Sequence, residues 1–275
     1  MNIKFIYTLL MGLFLFHTFL QAEIHRIMPL GDSITYDDLR SDYESTPRPT
    51  GIRKAYRADL WYMLEEAKIS VDFVGSQVAG QDIVPPFDVN NEGHPGWTSY
   101  DISSRVYQFL SANPADTILL HIGTNDRSSS VDGITAILDD IDRYERDSGT
   151  HVRVLVAMII GRLSVSNVVI DNFNANLTHL VQQRIQQGDM LTLVDMYQGA
   201  GLISDDYADI THPNASGYQK MATLWFNTLI QPYNVALHSY PQSIVSSEYI
   251  QSVVVDENTK LVTFVTKVPD YGITF

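Results

Sequence analysis

The sequence predicts an α/β three-layer sandwich built on a five-stranded parallel sheet. Three observations carry that expectation. Five β-rich apolar runs are near-continuous where a half-exposed strand would alternate, the pattern of strands buried on both faces. Helical periodicity fills the intervals between them. Strand and helix alternate throughout, as right-handed crossovers joining parallel strands require.

The elements follow in order. Residues Met1 to Ala22 carry Lys4, an apolar run from Phe5 to Leu20 broken only by Thr8, Gly12, His17 and Thr18, and Leu20-Gln21-Ala22 before Glu23. Residues 1–22 therefore read as a signal peptide, and the expected location is secreted or periplasmic. The run falls short of the ~18–20 apolar residues of a membrane span, so no membrane association is expected after cleavage. A first strand is expected at Arg26 to Leu30, then a helix on Tyr56, Leu60, Met63 and Leu64. A second strand at Val71 to Gly75 precedes a helix on Ile102, Val106, Phe109 and Leu110. The third, at Thr117 to Ile122, leads to a helix on Ile134, Ile137, Leu138 and Ile141, and the fourth, at Val152 to Ile160, to one on Phe173, Leu177, Leu180 and Val181. The fifth, at Leu191 to Asp195, precedes a last helix on Tyr218, Met221, Ala222, Trp225, Phe226 and Leu229. These elements define a domain over residues 23–230. The tail, 231–275, reads as β-rich, with runs at Tyr249 to Val255 and Leu261 to Lys267. It is either an edge extension of the domain or the first strands of a truncated β-sandwich module.

Composition removes several function classes. With 32 acidic against 18 basic residues the formal net charge is -14, so nucleic acid and anionic membrane surfaces are repelled. The absence of cysteine removes disulfides, thiolate metal sites and a cysteine nucleophile together. There is no Gly-x-Ser-x-Gly elbow, no His-Glu-x-x-His and no phosphate-binding glycine loop.

In an open parallel sheet, ligands bind beyond the carboxyl ends of the strands. Four loops leaving those ends carry unusual residues: Gly31-Asp32-Ser33-Ile34-Thr35, Glu92-Gly93-His94-Pro95-Gly96-Trp97, Gly123-Thr124-Asn125-Asp126 and Asp209-Ile210-Thr211-His212-Pro213. Together they supply the parts of acyl transfer through a serine. Ser33 is a hydroxyl nucleophile on a tight turn permitted by Gly31; His212 is a base of near-neutral intrinsic pKa; Asp209, three residues earlier, orients it. The amides of Ser33 and Gly96 and the side-chain amide of Asn125 are candidate donors to a developing oxyanion. Thr98 and Asp101 resemble a capping box opening the helix after Gly96, whose N-terminus favours negative charge.

Blander readings apply to each residue alone. Gly-Asp-Ser is common in turns, Asn125 suits a helix cap, and Gly96 suits a plain turn. Asp209 and His212 with Asp205 and Asp206 suit a divalent cation, although one histidine among carboxylates is a poor zinc set. His94 and His121 read as structural, Asp32 as a tie within the turn, and Trp97 as packing or stacking on a sugar ring. The acceptor triplets at Asn176 and Asn214 carry no functional weight.

The four blocks Gly31-Asp32-Ser33, Gly96, Gly123-x-Asn125-Asp126 and Asp209-x-x-His212 resemble, in their order, those of SGNH (GDSL-type) hydrolases. Ile27 to Thr35, Tyr56-Arg57, Asp72 to Ser76, Glu92 to Trp97 and His212-Pro213-Asn214 resemble carbohydrate esterase family 3, acetylxylan esterases. Over Arg26 to Leu229 the resemblance implies a flavodoxin-like sheet and a Ser33-His212-Asp209 triad. It also implies deacetylation of a carbohydrate such as xylan, with no cofactor and no catalytic metal. Asp37 to Lys54 is long for the pattern, and Ala55 stands where glycine is usual. Alternatives are a lipase-like, thioester or aryl esterase of the same class, or a non-catalytic surface-binding protein on an esterase fold.

Overall fold

The computed structural model describes residues 24–44, 46–163 and 166–231, and the strand backbones 250–256 and 261–266. Residues 1–22, read as a signal peptide, lie outside the described residues.

Strand β1 (His25–Gly31) is flanked by β5 (Thr117–His121), and β6 (Arg153–Ala157) and β7 (Leu191–Val194) follow outward in parallel. On its other edge β1 is clasped by two short strands: β2 (Val71–Phe73) pairs His25 to Ile27, and β4 (Asn90–Gly93) pairs Leu30 and Gly31. Counted as one position, they give the strand order 2-1-3-4-5 of flavodoxin-like sheets. A two-residue strand, β3 (Gln77–Val78), runs antiparallel to β4 at the margin. The five-stranded expectation holds for the parallel core, but the second position is split, and the sheet has seven strands rather than five.

Both faces of the sheet are covered, which explains the continuous apolar runs. Met28, Leu30, Ile118, Leu120, Val154 and Val156 point into one core, against α3 (Ser99–Ser103), α4 (Val106–Ala112), α5 (Asp132–Ser148) and α6 (Val168–Gln187). The alternate residues Ile27, Leu119, Leu155 and Ala157 point into the second core, against α1 (Ser33–Tyr36), α2 (Arg57–Glu66) and α7 (Ala215–Leu229). Each core strand thus buries successive side chains on opposite sides. The single helix expected across Ile102 to Leu110 is two, α3 and α4, broken at Ser104 and Arg105; both face the same core, so the apolar spacing runs through the break.

Contacts divide the chain after Pro232. The second unit holds an antiparallel pair, β8 (Ile250–Asp256) and β9 (Leu261–Thr266). Among the described residues no helix is long and apolar enough to cross a membrane.

Candidate active site

The site grows out of the end of β1. A side chain on Gly31 would place its Cβ 2.3 Å from the His121 carbonyl oxygen and 2.5 Å from Thr35 Oγ1, so only glycine lets the chain turn there. Asp32 caps the turn, its Oδ1 accepting the Ile34 amide at 2.9 Å. Burial pushes the Asp32 carboxyl up to about 7; the Ile34 amide opposes this, and the charge of Asp126 adds to it. Beneath the turn, the hydroxyls of Tyr56 and Thr35 lie 3.2 Å apart, and Arg57 Nε donates to the Thr35 carbonyl at 3.0 Å. The rest of the fully buried Arg57 guanidinium donates to the carbonyls of Tyr36, Arg53, Ala79 and Val89. The Tyr56-Arg57 pair is thus the underside of the serine turn.

Ser33 therefore stands at the first position of α1, 7% exposed, with Oγ 3.0 Å from His212 Nε2. The other ring nitrogen of His212, Nδ1, lies 2.8 Å from Asp209 Oδ2 and 3.0 Å from Oδ1. Asp209 Oδ1 also accepts the amides of Thr211 at 2.8 Å and His212 at 2.9 Å, while Oδ2 accepts the amide of Arg40 at 2.9 Å. Partial burial works against the charged carboxylate, but the Arg40, Thr211 and His212 amides and the His212 ring bring its pKa down to about 2. It is ionised at every ordinary pH. Pro213 follows in a bridge with Tyr207, and Asn214 caps α7 by accepting the amides of Ser216 and Gly217.

The candidate oxyanion donors are linked to this turn. The His94 amide donates to the Gly31 carbonyl at 2.8 Å, tying the 93–98 loop to the end of β1. In that loop Gly96 has a φ of 81°, and its amide makes no hydrogen bond among the described residues. Asn125 Nδ2 donates one hydrogen to the Trp97 carbonyl at 2.9 Å, which leaves its second N–H without a partner among the described residues. Ser33's amide, at the start of α1, lies outside the helix's own ladder. The capping box is present: Thr98 accepts the Asp101 amide and Asp101 the Thr98 amide. Asp126 holds the same helix start, accepting the Ser99 amide at 2.8 Å and bonding the Ser99 hydroxyl.

Trp97 is half-buried, its ring stacked on His94 with centroids 4.0 Å apart and Arg105 Cζ 5.5 Å from its centre. His94 in turn bonds the buried Glu92 through Nε2 at 2.7 Å, and the Ser76 amide and hydroxyl complete that carboxylate at 2.7 Å each. His121 is fully buried within β5, and burial lowers its pKa to about 4. Asp206, weighed with Asp205 as part of a cation site, instead meets Lys220 Nζ at 2.6 Å and the Ser216 hydroxyl at 2.5 Å. Among the described residues no group of three histidine, aspartate or glutamate side chains is placed to hold a metal ion.

The model of the GDSL-like Lipase/Acylhydrolase family matches residues 30–220, from the end of β1 into α7. The chain belongs to that family. A family 3 carbohydrate esterase of Clostridium thermocellum is 28% identical, superposes with a TM-score of 0.61, and is matched over 74% of this chain and 94% of its own. An acetyl esterase solved with an acetate ion is also 28% identical, with a TM-score of 0.62 over 75% of this chain and 97% of that one. A multidomain esterase of Ruminococcus flavefaciens is 27% identical in an alignment 237 positions long, which covers 74% of this chain but only 28% of that protein's length. The resemblance to SGNH hydrolases and to carbohydrate esterase family 3 is thus borne out, and residues 30–220 form an esterase domain of the GDSL type.

Two parts of this site had no signal in the sequence. The Arg40 amide on Asp209 is a backbone contact that any residue type supplies. Glu92 lies on β4, which carries no apolar pattern, and His94 follows its end, although both stand within a stretch that the resemblance covers.

Proposed function

We propose that this esterase removes short acyl groups, acetyl above all, from acetylated carbohydrate such as xylan, outside the cytoplasm. The observation that carries the chemistry is the unbroken relay from Ser33 Oγ through His212 to Asp209, at 3.0 and 2.8 Å. His212 Nε2 takes the Ser33 hydroxyl proton as Oγ attacks the ester carbonyl, and Asp209 holds the ring in the tautomer that leaves Nε2 free to accept. The negative oxygen of the tetrahedral intermediate meets the amides of Ser33 and Gly96 and the free N–H of Asn125. The imidazolium returns its proton to the departing sugar hydroxyl, leaving an acyl group on Ser33. Water, deprotonated by His212, releases it as the acid. Removal of a nucleophile or base in the best-studied serine hydrolase costs about 10⁶ in turnover.

Support for acetyl and carbohydrate comes from the family 3 carbohydrate esterase and the acetyl esterase, each 28% identical over about three quarters of the chain. Support for export comes from the apolar segment between Lys4 and Ala22. Acetate release from acetylated polysaccharides, measured on wild type and Ser33→Ala, tests both levels. Release by wild type and its loss in Ser33→Ala is the expected result. Activity that persists in Ser33→Ala overturns the mechanism. Ready cleavage of long-chain aryl esters without acetate release from polysaccharide overturns the substrate.

A further inference from the structure

The described residues of the stretch 37–54, long for the family pattern, are tied together by hydrogen bonds beside the triad. Asp37 terminates α1 with a φ of 76°, and its Oδ2 accepts the amides of Lys54 at 2.8 Å and Ala55 at 3.1 Å. Arg48 Nη2 donates to the Asp37 carbonyl and to Asp42 Oδ2, each at 2.7 Å. Asp42 in turn accepts the amides of Leu39 and Arg48, both at 2.8 Å, and so fixes the single 3₁₀ turn Arg40–Tyr43. Arg53 bonds Asp38 and the Arg48 carbonyl from the other side. The first residue of that turn is Arg40, whose amide reaches Asp209.

We infer that the Asp42–Arg48 clamp is a positioning device for the acid–base pair, holding the Arg40 amide on Asp209 Oδ2 and thereby setting the plane of the carboxylate that orients His212. The inference rests on the roles given above to Asp209 and His212. Its warrant is the division of donors. Oδ1 is held by amides of Asp209's own turn, whereas Oδ2 carries the His212 ring and one amide from 169 residues away. Without Arg40, nothing outside the loop 209–212 fixes rotation of the carboxylate among the described residues. The contacts close a circuit: Ser33 leads through α1 to Asp37, then Arg48, Asp42, Leu39 and its chain neighbour Arg40, Asp209, His212 and back to Ser33. Nucleophile and base are thus registered to each other from two sides. The carboxylates of Asp37 and Asp42 are buried while Arg48 is 29% exposed, and an ion pair of this kind is weak evidence for stability, its best-attested use being to fix register. Arg48's fork, which meets Asp37 and Asp42 at once, suits that use better than a lysine's single charge.

The test deletes one N–H. Leu39 is extended, with φ −105° and ψ 161°, and Arg40 opens a 3₁₀ turn, so proline fits the backbone at 40 and removes only the donor. Arg40→Pro is compared with Arg40→Ala, which keeps the amide, on an aryl acetate and in the NMR spectrum of the low-field His212 Nδ1 proton. Expected for Arg40→Pro are a kcat about 10- to 100-fold below that of Arg40→Ala, a KM within about twofold, and a displaced or broadened low-field resonance. Arg48→Met should move kcat and the resonance in the same direction, with Arg48→Lys recovering part of the loss; this series decides the matter if Arg40→Pro fails to fold. Wild-type kcat and an unmoved resonance in the folded variants overturn the inference. If Asp209→Asn also keeps full activity, the triad reading itself falls; if Asp209→Asn is inactive while Arg40→Pro and Arg48→Met are not, only the clamp's role falls.

Discussion

His212 and Asp209 are joined twice: the His212 amide donates to Asp209 Oδ1 at 2.9 Å, and the His212 ring Nδ1 lies 2.8 Å from Oδ2. The backbone bond places the two residues on one turn, and the ring bond selects the tautomer. Asp209→Asn keeps an oxygen for the turn but sets an amide against the ring. Expected is a fall in kcat of about 10⁴ with the fold retained, read by ester turnover alongside circular dichroism. Because the Asp209 pKa is depressed to about 2, from 3.8, its carboxylate stabilises the fold above pH ~3.8, and that contribution is lost as pH falls towards 2. Asp209→Asn should therefore weaken the acid limb of the stability profile.

Asn125 donates to the Trp97 carbonyl with one hydrogen, and the proposed mechanism gives the other to the oxyanion. Asn125→Ala is expected to lower kcat about 10² to 10³-fold while changing KM much less, because the donor matters most when the oxygen carries charge. Steady-state kinetics on an acetyl ester would reveal the opposite split if Asn125 only bound ground-state substrate.

Asp32 titrates in the opposite sense to Asp209. Its folded pKa of about 7 lies above the ordinary 3.8, so between those values the unfolded chain releases a proton that the native protein keeps. The contribution of Asp32 to stability is fully present below pH ~3.8, declines as pH rises to about 7, and is level beyond. Asp32→Asn retains the acceptor for the Ile34 amide and removes the titration. Urea unfolding at pH 4, 6 and 8 should show the variant gaining on wild type as pH rises; parallel profiles would contradict the assignment.

Gly31 and Gly96 are glycines for different reasons, and alanine separates them. At Gly31 the added methyl meets backbone oxygen at 2.3 Å, and β1 or β5 must move. At Gly96 it meets nothing within 4 Å, and the only penalty is the left-handed φ of 81°, about 1–2 kcal/mol. Thermal unfolding should show Gly31→Ala falling much further than Gly96→Ala.

The parallel core was legible because strands buried on both faces advertise themselves as unbroken apolar runs. Strand β4 was not, since Asn90-Asn91-Glu92-Gly93 is polar throughout and yet largely buried. Its polar groups are satisfied by Ser76, His94 and its own neighbours, contacts that no local pattern encodes. The break between α3 and α4 was hidden because both helices face the same core. In the site, Ser33, Asp209 and His212 could be singled out because their side-chain types carry the chemistry. Arg40 could not, because it contributes a backbone N–H and its own side chain is exposed.

The two atoms that must touch in the proposed mechanism, Ser33 Oγ and His212 Nε2, belong to residues 179 positions apart. The nucleophile turn directly follows β1 and the base stands just before α7, so every other strand of the parallel core is laid down between them. Such long-range closure comes late in folding, because loop entropy must be overcome first. Turnover in this molecule is therefore a reporter of completed assembly. During refolding its recovery should lag behind the return of secondary structure, and a nascent chain that has not yet reached residue 212 carries a serine with no base to ionise it.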